Sequence, residues 1–274
     1  MPILTLDSQD IHYRDAGHGP PLILLHANPG DSRDYDSIVD ELARSFRVLR
    51  VDWPGYGGSP APKPPELAGA SLYLKVLTGF IEKLDLTRVH FIGNSVGGNA
   101  ATRYALNAPH RVASLVLVSS GGFTRHNAVT RAFCRFQGWP GSKPLLGTAF
   151  TRLYLSVRNE WTRAMIARAG SDQATPVARR VNAAVWRSFL EPEHNLLERA
   201  RALQVPTLVV SGRRDPVIPA AKDGRYAAAA IPGARQVVLD CGHAVFAERP
   251  ADFLTEAQRF WNGLGLELET ARAA

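Results

Sequence analysis

Three residues far apart in the chain, Ser95, Asp215 and His243, have the types that together turn a hydroxyl into a nucleophile. A serine hydroxyl attacks a carbonyl poorly until an imidazole takes its proton, and the imidazole works best when a carboxylate fixes its tautomer. Ser95 sits in Gly93-Asn94-Ser95-Val96-Gly97-Gly98, between an apolar run and an Ala-rich helical run. A Gly-x-Ser-x-Gly turn needs small flanking residues and holds its serine in a strained conformation, with the hydroxyl raised above the strand ends. The helix that follows aims its first amides where an oxyanion forms during acyl transfer. Asp215 follows the strand Pro206 to Ser211, and His243 follows the strand Arg235 to Leu239, in the chain order expected behind such a turn. No metal-ligand spacing accompanies them, so the chemistry calls for neither metal nor cofactor.

Each residue has a plainer alternative. Ser95 could be a structural turn, Asp215 the start of the turn at Pro216, and His243 an ordinary loop histidine. All three coincidences would have to fall in one order, and glycines at 93, 97 and 98 speak against the first. An oxyanion needs two donors. The backbone amide of Val96 is one, and the backbone amide of Asn28, in His26-Ala27-Asn28-Pro29-Gly30, is the other. The Asn28 side chain either touches substrate or braces the turn before Pro29. His26 reads as a packed, hydrogen-bonded residue, and Asp52 and Asp240 as turn or network residues, with Asp240 in reserve as the acid.

The elements that must position these residues follow from the apolar pattern. Ile3 to Leu6 and Asp10 to Arg14 form an antiparallel edge, and Leu22 to Leu25 is a strand buried on both faces. A helix capped by Asp31 or Ser32 runs to about Ser45, followed by the strand Phe46 to Val51 and the Gly-rich loop Asp52 to Ser59. The helix Ser71 to Leu84, the strand Val89 to Ile92, the helix Val96 to Leu106 and the strand Val112 to Val118 continue the alternation. This is a mostly parallel, doubly wound α/β sheet. From Phe123 to about Ala200 the rhythm breaks into helical stretches such as Trp161 to Ala169 and Val177 to Leu190. The expected organisation is therefore a core domain of residues 1–122 and 201–274, with a helical cap, residues 123–200, inserted after the sixth strand. The alternation resumes with Pro206 to Ser211, a helix Ala220 to Ala230, Arg235 to Leu239 and a last helix Ala251 to Trp261, with a tail expected to fray after Gly265.

Composition narrows the class. In 274 residues, 45% hydrophobic and 21% charged, one α/β core is readily buried. Cys134 and Cys241 are too few and too far apart for a disulfide framework. No leader-like segment opens the chain and no apolar run approaches membrane-spanning length, so a cytoplasmic protein without membrane contact is expected. The net charge of +7 is concentrated between Phe123 and Ala200, where eleven Arg and one Lys face five acidic residues. That segment is either a set of solvated helix faces or a field for an anionic substrate. No aromatic interleaving of a single-strand binder accompanies it, so nucleic acid is not the expected partner. The expected partner is a small molecule, anionic if the arginines serve it, bound to a monomer or homodimer.

Over nearly its whole length the chain resembles the α/β-hydrolase fold superfamily. The resemblance rests on His26-Ala27-Asn28-Pro29-Gly30, Asp52 to Ser59, Gly93 to Gly98, Gly212 to Pro219 and Gly242-His243. It implies Ser95 as nucleophile, His243 as base, Asp215 as acid, and a cap over residues 123 to 200. One departure is Ala27, where most members carry Gly; Ala fits unless that position needs a positive φ. Haloalkane dehalogenases and related epoxide hydrolases use Asp at the nucleophile position, which Ser95 does not match. Gly-Asn-Ser-x-Gly-Gly is similar to the meta-cleavage-product hydrolases, which cut a carbon–carbon bond in anionic dienoic keto acids, and Trp186 with Arg187 could contact such a substrate. Similar turns occur in carboxylesterases and cofactor-free haloperoxidase-like members. The first expectation is thus a serine esterase acting through an acyl-enzyme, the second a carbon–carbon hydrolase. A third class on the same fold, a ligand receptor or signalling protein with slow turnover, stays open.

Overall fold

The β-branched and leucine-rich runs build the middle of an eight-stranded sheet. A computed structural model describes residues 2–142, 148–171 and 174–266. The strands are β1 (Ile3–Leu6), β2 (Gln9–Ala16), β3 (Pro21–Leu25), β4 (Arg47–Val51), β5 (Val89–Asn94), β6 (Val112–Val118), β7 (Thr207–Gly212) and β8 (Arg235–Leu239). Their order is β1-β2-β4-β3-β5-β6-β7-β8. The pairs β1/β2 and β2/β4 are antiparallel and all the others parallel, as the pattern predicts. β3 lies between β4 and β5, so the winding reverses there, and a crevice opens at the carboxyl ends of β3 and β5.

Alternation along each strand sorts side chains to two cores. Ile23, Leu25 and Phe91 face one layer, with α2 (Ala70–Lys83) and α3 (Val96–Asn107) packed on it through Phe80, Ile81 and Ala100. Leu22, Leu24 and Ile92 face the other, covered by the short α1 (Val39–Leu42) and by the later helix Pro250–Asn262 through Phe253, Ala257 and Trp261. The helix expected from Asp31 to Ser45 does not form. Asp31 caps a single 3-10 turn, Ser32–Tyr35, and only α1 follows it. Short polar side chains crowd this stretch and compete for backbone groups. Asp31 accepts from the Arg33 amide, Asp34 from the Asp31 amide, and the Tyr35 hydroxyl reaches back to the Leu25 carbonyl.

Between β6 and β7 the described residues hold α4 (Ala128–Gln137), α5 (Ala149–Tyr154), α6 (Glu160–Ser171) and α7 (Pro176–Ser188), and no strand. The sequence pattern locates the last two, although α7 stops two residues short of Leu190. Arg168 ties α6 to Asp34 at 2.8 Å, and Arg180 ties α7 to Glu66 at 2.9 Å. After β7 a wide turn at Ala220–Gly224 runs into α8 (Arg225–Ala230), where one helix is expected. The chain then closes with α9 (Val245–Glu248) and α10 (Pro250–Asn262). The tail beyond residue 266 lies outside the described residues.

One buried titratable group predicts how this core responds to acid. His90 on β5 bonds Ser114 Oγ through Nδ1 at 2.8 Å and packs edge-on against Phe46. Burial, helped by Arg88, pushes its pKa down to about 4. The unfolded chain therefore takes up a proton first as pH falls below about 6.5, and the fold loses stability from there towards pH 4. Between pH 7 and 5, denaturant titration should show the parent losing about 2 kcal/mol more than His90→Asn. Equal losses would mean that His90 does not stay neutral in the fold.

Candidate active site

The turn between β5 and α3 consists of one residue. Ser95 has φ 55° and ψ −115°, a strained backbone for a residue with a Cβ. Its amide donates to the Val118 carbonyl at 3.1 Å, and its own carbonyl accepts from the Asn99 and Gly121 amides at 3.1 and 2.9 Å. The flanking glycines are needed for close approach rather than for unusual φ. A Cβ on Gly97 would lie 2.2 Å from the Leu25 carbonyl oxygen, and one on Gly93 2.7 Å from the backbone of Gly98. Nothing larger than hydrogen fits, so α3 starts directly against β3.

That contact brings the loop after β3 beside the serine. Val96 is the first residue of α3, and among the described residues neither its amide nor that of Asn28 donates to a protein acceptor. Both residues line one cavity with Ser95. Ala27 does not have a positive φ, so alanine in place of the usual glycine costs no strain. The Asn28 side chain braces the loop, its Oδ1 accepting from the Tyr56 hydroxyl and from Asn182 Nδ2, the latter at 3.0 Å. His26 is fully engaged, with Nδ1 donating to the Ala27 carbonyl and Nε2 accepting from the Trp53 amide. Burial holds its pKa down. Asp52 likewise serves the network, accepting from the Ser32 and Gly58 amides.

Asp215 and His243 arrive from the ends of β7 and β8. A Cβ on Gly212 would sit 1.8 Å from the Gly242 carbonyl oxygen, so the two loops touch backbone to backbone. Across that contact His243 Nδ1 donates to Asp215 Oδ2 at 2.7 Å. Asp215 Oδ1 accepts from the Val217 and Ile218 amides at 2.8 and 3.1 Å. With Nδ1–H committed to the carboxylate, the lone pair of a neutral His243 lies on Nε2. Asp240, the reserve acid, is instead an exposed surface residue paired with Arg214 at 3.2 Å.

A residue that the sequence reading did not single out fixes the histidine loop. Glu248 is buried at the end of α9, and its Oε2 accepts from the Gly242 amide, the Val157 amide and Ser156 Oγ at 2.8, 2.8 and 3.0 Å. Its Oε1 takes the Ala244 amide at 3.3 Å. His243 itself donates its backbone N–H to the Tyr154 carbonyl at 2.8 Å. The histidine loop and the segment after α5 are thus held by one carboxylate. The signal in the sequence was faint: an acid five residues beyond the histidine.

Ser95, His243, Asn28 and Val96 open onto a cavity of about 80 Å³. Its far wall is aromatic, formed by Phe133, Phe150, Trp186 and Phe189. Phe133 and Trp186 meet edge to face, as do Phe150 and Trp186. Trp186 lies on this wall. Arg187 does not. One residue further along α7 points about 100° away, and its exposed guanidinium donates to the Gly138 carbonyl at 2.5 Å. No lysine or arginine is among the described residues of the lining, and His194 is held neutral by burial, its pKa pushed down to about 3. The expectation of an anionic substrate bound by the arginine-rich segment has no counterpart in this lining. Arg180 on Glu66 and Arg125 over the Tyr226 ring face outward instead, and Arg168 is taken up by the buried Asp34. Among the described residues no cluster of metal-ligating side chains occurs, and no helix is long and apolar enough to cross a membrane.

The fold agrees with comparisons to known proteins. The family model of the alpha/beta hydrolase fold matches residues 20–250, and the chain belongs to that family. A pimeloyl-[acyl-carrier protein] methyl ester esterase of Nitrosomonas europaea is 31% identical, over 89% of this chain and 97% of its own. A 2-hydroxy-6-oxononadienedioate/2-hydroxy-6-oxononatrienedioate hydrolase of Pseudomonas putida is 36% identical over 117 residues, 41% of each chain. Among solved structures, Est816, described as an N-acyl homoserine lactone degrading enzyme, is 25% identical with a TM-score of 0.78, covering 94% of this chain and 100% of that one. The protein is accordingly a hydrolase of this fold.

Glu248→Gln replaces an acceptor-only group with one whose N–H₂ confronts backbone N–H donors. It should cost about 2 kcal/mol in denaturant unfolding. It should also lower kcat on a turned-over ester more than it raises KM, because the loop carrying His243 loosens. Unchanged stability and kinetics would show that the carboxylate does not set the loop.

Proposed function

We propose that the protein is a serine hydrolase that cleaves a neutral small-molecule ester or related acyl compound through an acyl-enzyme. The observation that carries this reading is the 2.7 Å bond from His243 Nδ1 to Asp215, with His243 and Ser95 on the wall of one cavity. His243 Nε2 takes the Ser95 proton as Oγ attacks the carbonyl carbon, and the amides of Asn28 and Val96 hold the oxyanion. The imidazolium then gives its proton to the departing alcohol, which leaves an acyl-serine. Water, deprotonated by His243, attacks the acyl carbon; the acid leaves and Ser95 regains its proton. The helices between β6 and β7 act as a lid whose aromatic residues shape the pocket.

The uncharged, aromatic lining supports an ester over the carbon–carbon alternative. A dienoic keto acid carries a carboxylate, and placing that charge in an apolar pocket without a cation is costly. The esterase relative, matched over nearly its whole length, points the same way, whereas the keto-acid hydrolase relative matches over less than half of each chain.

p-Nitrophenyl esters from acetate to octanoate test the chemistry. Ser95→Ala should lose at least about 10³-fold in kcat, and Asp215→Asn a similar amount. Hydrolysis that survives in Ser95→Ala would remove the serine from the mechanism. A dienoic keto acid turned over faster than every ester would replace the ester reading with the carbon–carbon one.

A further inference from the structure

The polar atoms of the cavity wall are mostly spoken for. Ser95 and His243 face the reacting carbonyl, and Asn28 Oδ1 is tied to Tyr56 and Asn182 beside them. Thr124 Oγ1 donates to Asp223 at 2.7 Å, and Thr130 closes the cap of α4 with Asn127 at 2.8 Å. Among the described residues of this wall, Asn28 Nδ2, His126 Nδ1 and one nitrogen on each of two deeply buried rings have no partner. Trp186 is 3% exposed and its Nε1–H has no acceptor, and His194 is 6% exposed and its Nδ1 has no partner. Leaving such groups unpaired is costly, which a purely apolar pocket wall would avoid with phenylalanine at either position.

Their placement gives the unpaired nitrogens a use. The Phe189 ring bridges the two, its centroid 5.1 Å from Trp186 and 4.9 Å from His194. The Phe189 carbonyl is in turn fixed by His126 Nε2 at 3.2 Å. His194 Nε2 lies 3.2 Å from where a Cβ on Gly121 would be, and the Gly121 amide is bonded to the Ser95 carbonyl at 2.9 Å. The imidazole is therefore one residue layer from the nucleophile. Burial holds it neutral, so it offers one N–H and one lone pair rather than a charge.

We propose that Trp186 and His194 form a second, uncharged polar subsite that binds a neutral hydrogen-bonding group, an amide, carried on the acyl chain a few bonds from the scissile carbonyl. The indole N–H donates to the amide oxygen, the imidazole takes up the amide N–H, and Phe133, Phe150 and Phe189 cover the apolar remainder. This deepens the ester-hydrolase reading and rests on it for the position of the scissile carbonyl, but the subsite itself is a matter of binding.

Calorimetric titration of Ser95→Ala with methyl N-acetyl-β-alaninate and with its plain isostere, methyl hexanoate, separates the two readings. The amide ester should bind at least about 10-fold tighter than the alkyl ester, in keeping with one or two buried hydrogen bonds. Adding His194→Phe or Trp186→Phe to the Ser95→Ala chain should bring that ratio towards one. A damaged fold would weaken both ligands and leave the ratio standing, and a ratio that stands in both double variants overturns the proposal. So does an alkyl ester that binds as tightly as the amide in Ser95→Ala itself. Preference for the amide in Ser95→Ala, with no ester turned over by the parent chain, would keep the subsite and reject the reaction.

Discussion

The active edge of this protein depends on places where backbone touches backbone with no room for a side chain. A Cβ at Gly97 would strike the Leu25 carbonyl, and one at Gly212 would strike the Gly242 carbonyl. The first contact presses the start of α3 against the end of β3, which sets the free amide of Val96 beside that of Asn28. The second presses the loop after β7 against the loop after β8, which sets Asp215 against His243. Parallel strands about 5 Å apart deliver four loops to one edge. The missing side chains let those loops approach until their polar groups bond.

Buried carboxylates then lock what the glycines allow. Asp215 uses both oxygens, one on two backbone amides and one on His243, so its rotamer is determined before any substrate binds. Glu248 collects amides on either side of His243 together with the segment after α5, joining the histidine loop to the helices over the cavity. Asp31 and Asp34 share Arg168 of α6, and burial, with the charge of Asp31 close by, raises the Asp34 carboxyl to about 7. Each of these acids would be costly alone in the interior; each is surrounded by N–H donors. The helical segment between β6 and β7 is thereby fastened to the two loops that border the site.

Charge and site are separated in this molecule. The excess of basic residues between Phe123 and Ala200 is spent on ion pairs, backbone carbonyls and an aromatic face, while the described residues that line the cavity beneath are rings, small side chains and imidazoles. An overall charge of +7 thus says little about what enters the pocket. A neutral pocket under a basic exterior suits an uncharged acyl group, and leaves long-range attraction to the outer face.

How much of this was legible in the sequence depends on whether the signal was local. Apolar runs of four to seven residues ending in Gly-rich loops were enough for β3, β5, β6 and β7, and so for the sheet, since buried parallel strands need little beyond that pattern. Gly93 to Gly98 announced the strained serine because steric exclusion acts within six residues, and Asp215 and His243 followed from their positions after strands. The turn at Ser32–Tyr35 was misread as a long helix because its side chains choose partners elsewhere, in Leu25 and on α6. Arg187 and Trp186 are neighbours in the chain, yet which of them faces the cavity depends on how α7 is rotated, and packing of the helices sets that rotation. Glu248, Phe150, Phe189 and His194 acquire roles only when distant segments meet. Local sterics and periodicity determined the sheet and the reacting edge; burial and long-range contact, which no short stretch encodes, decided the pocket.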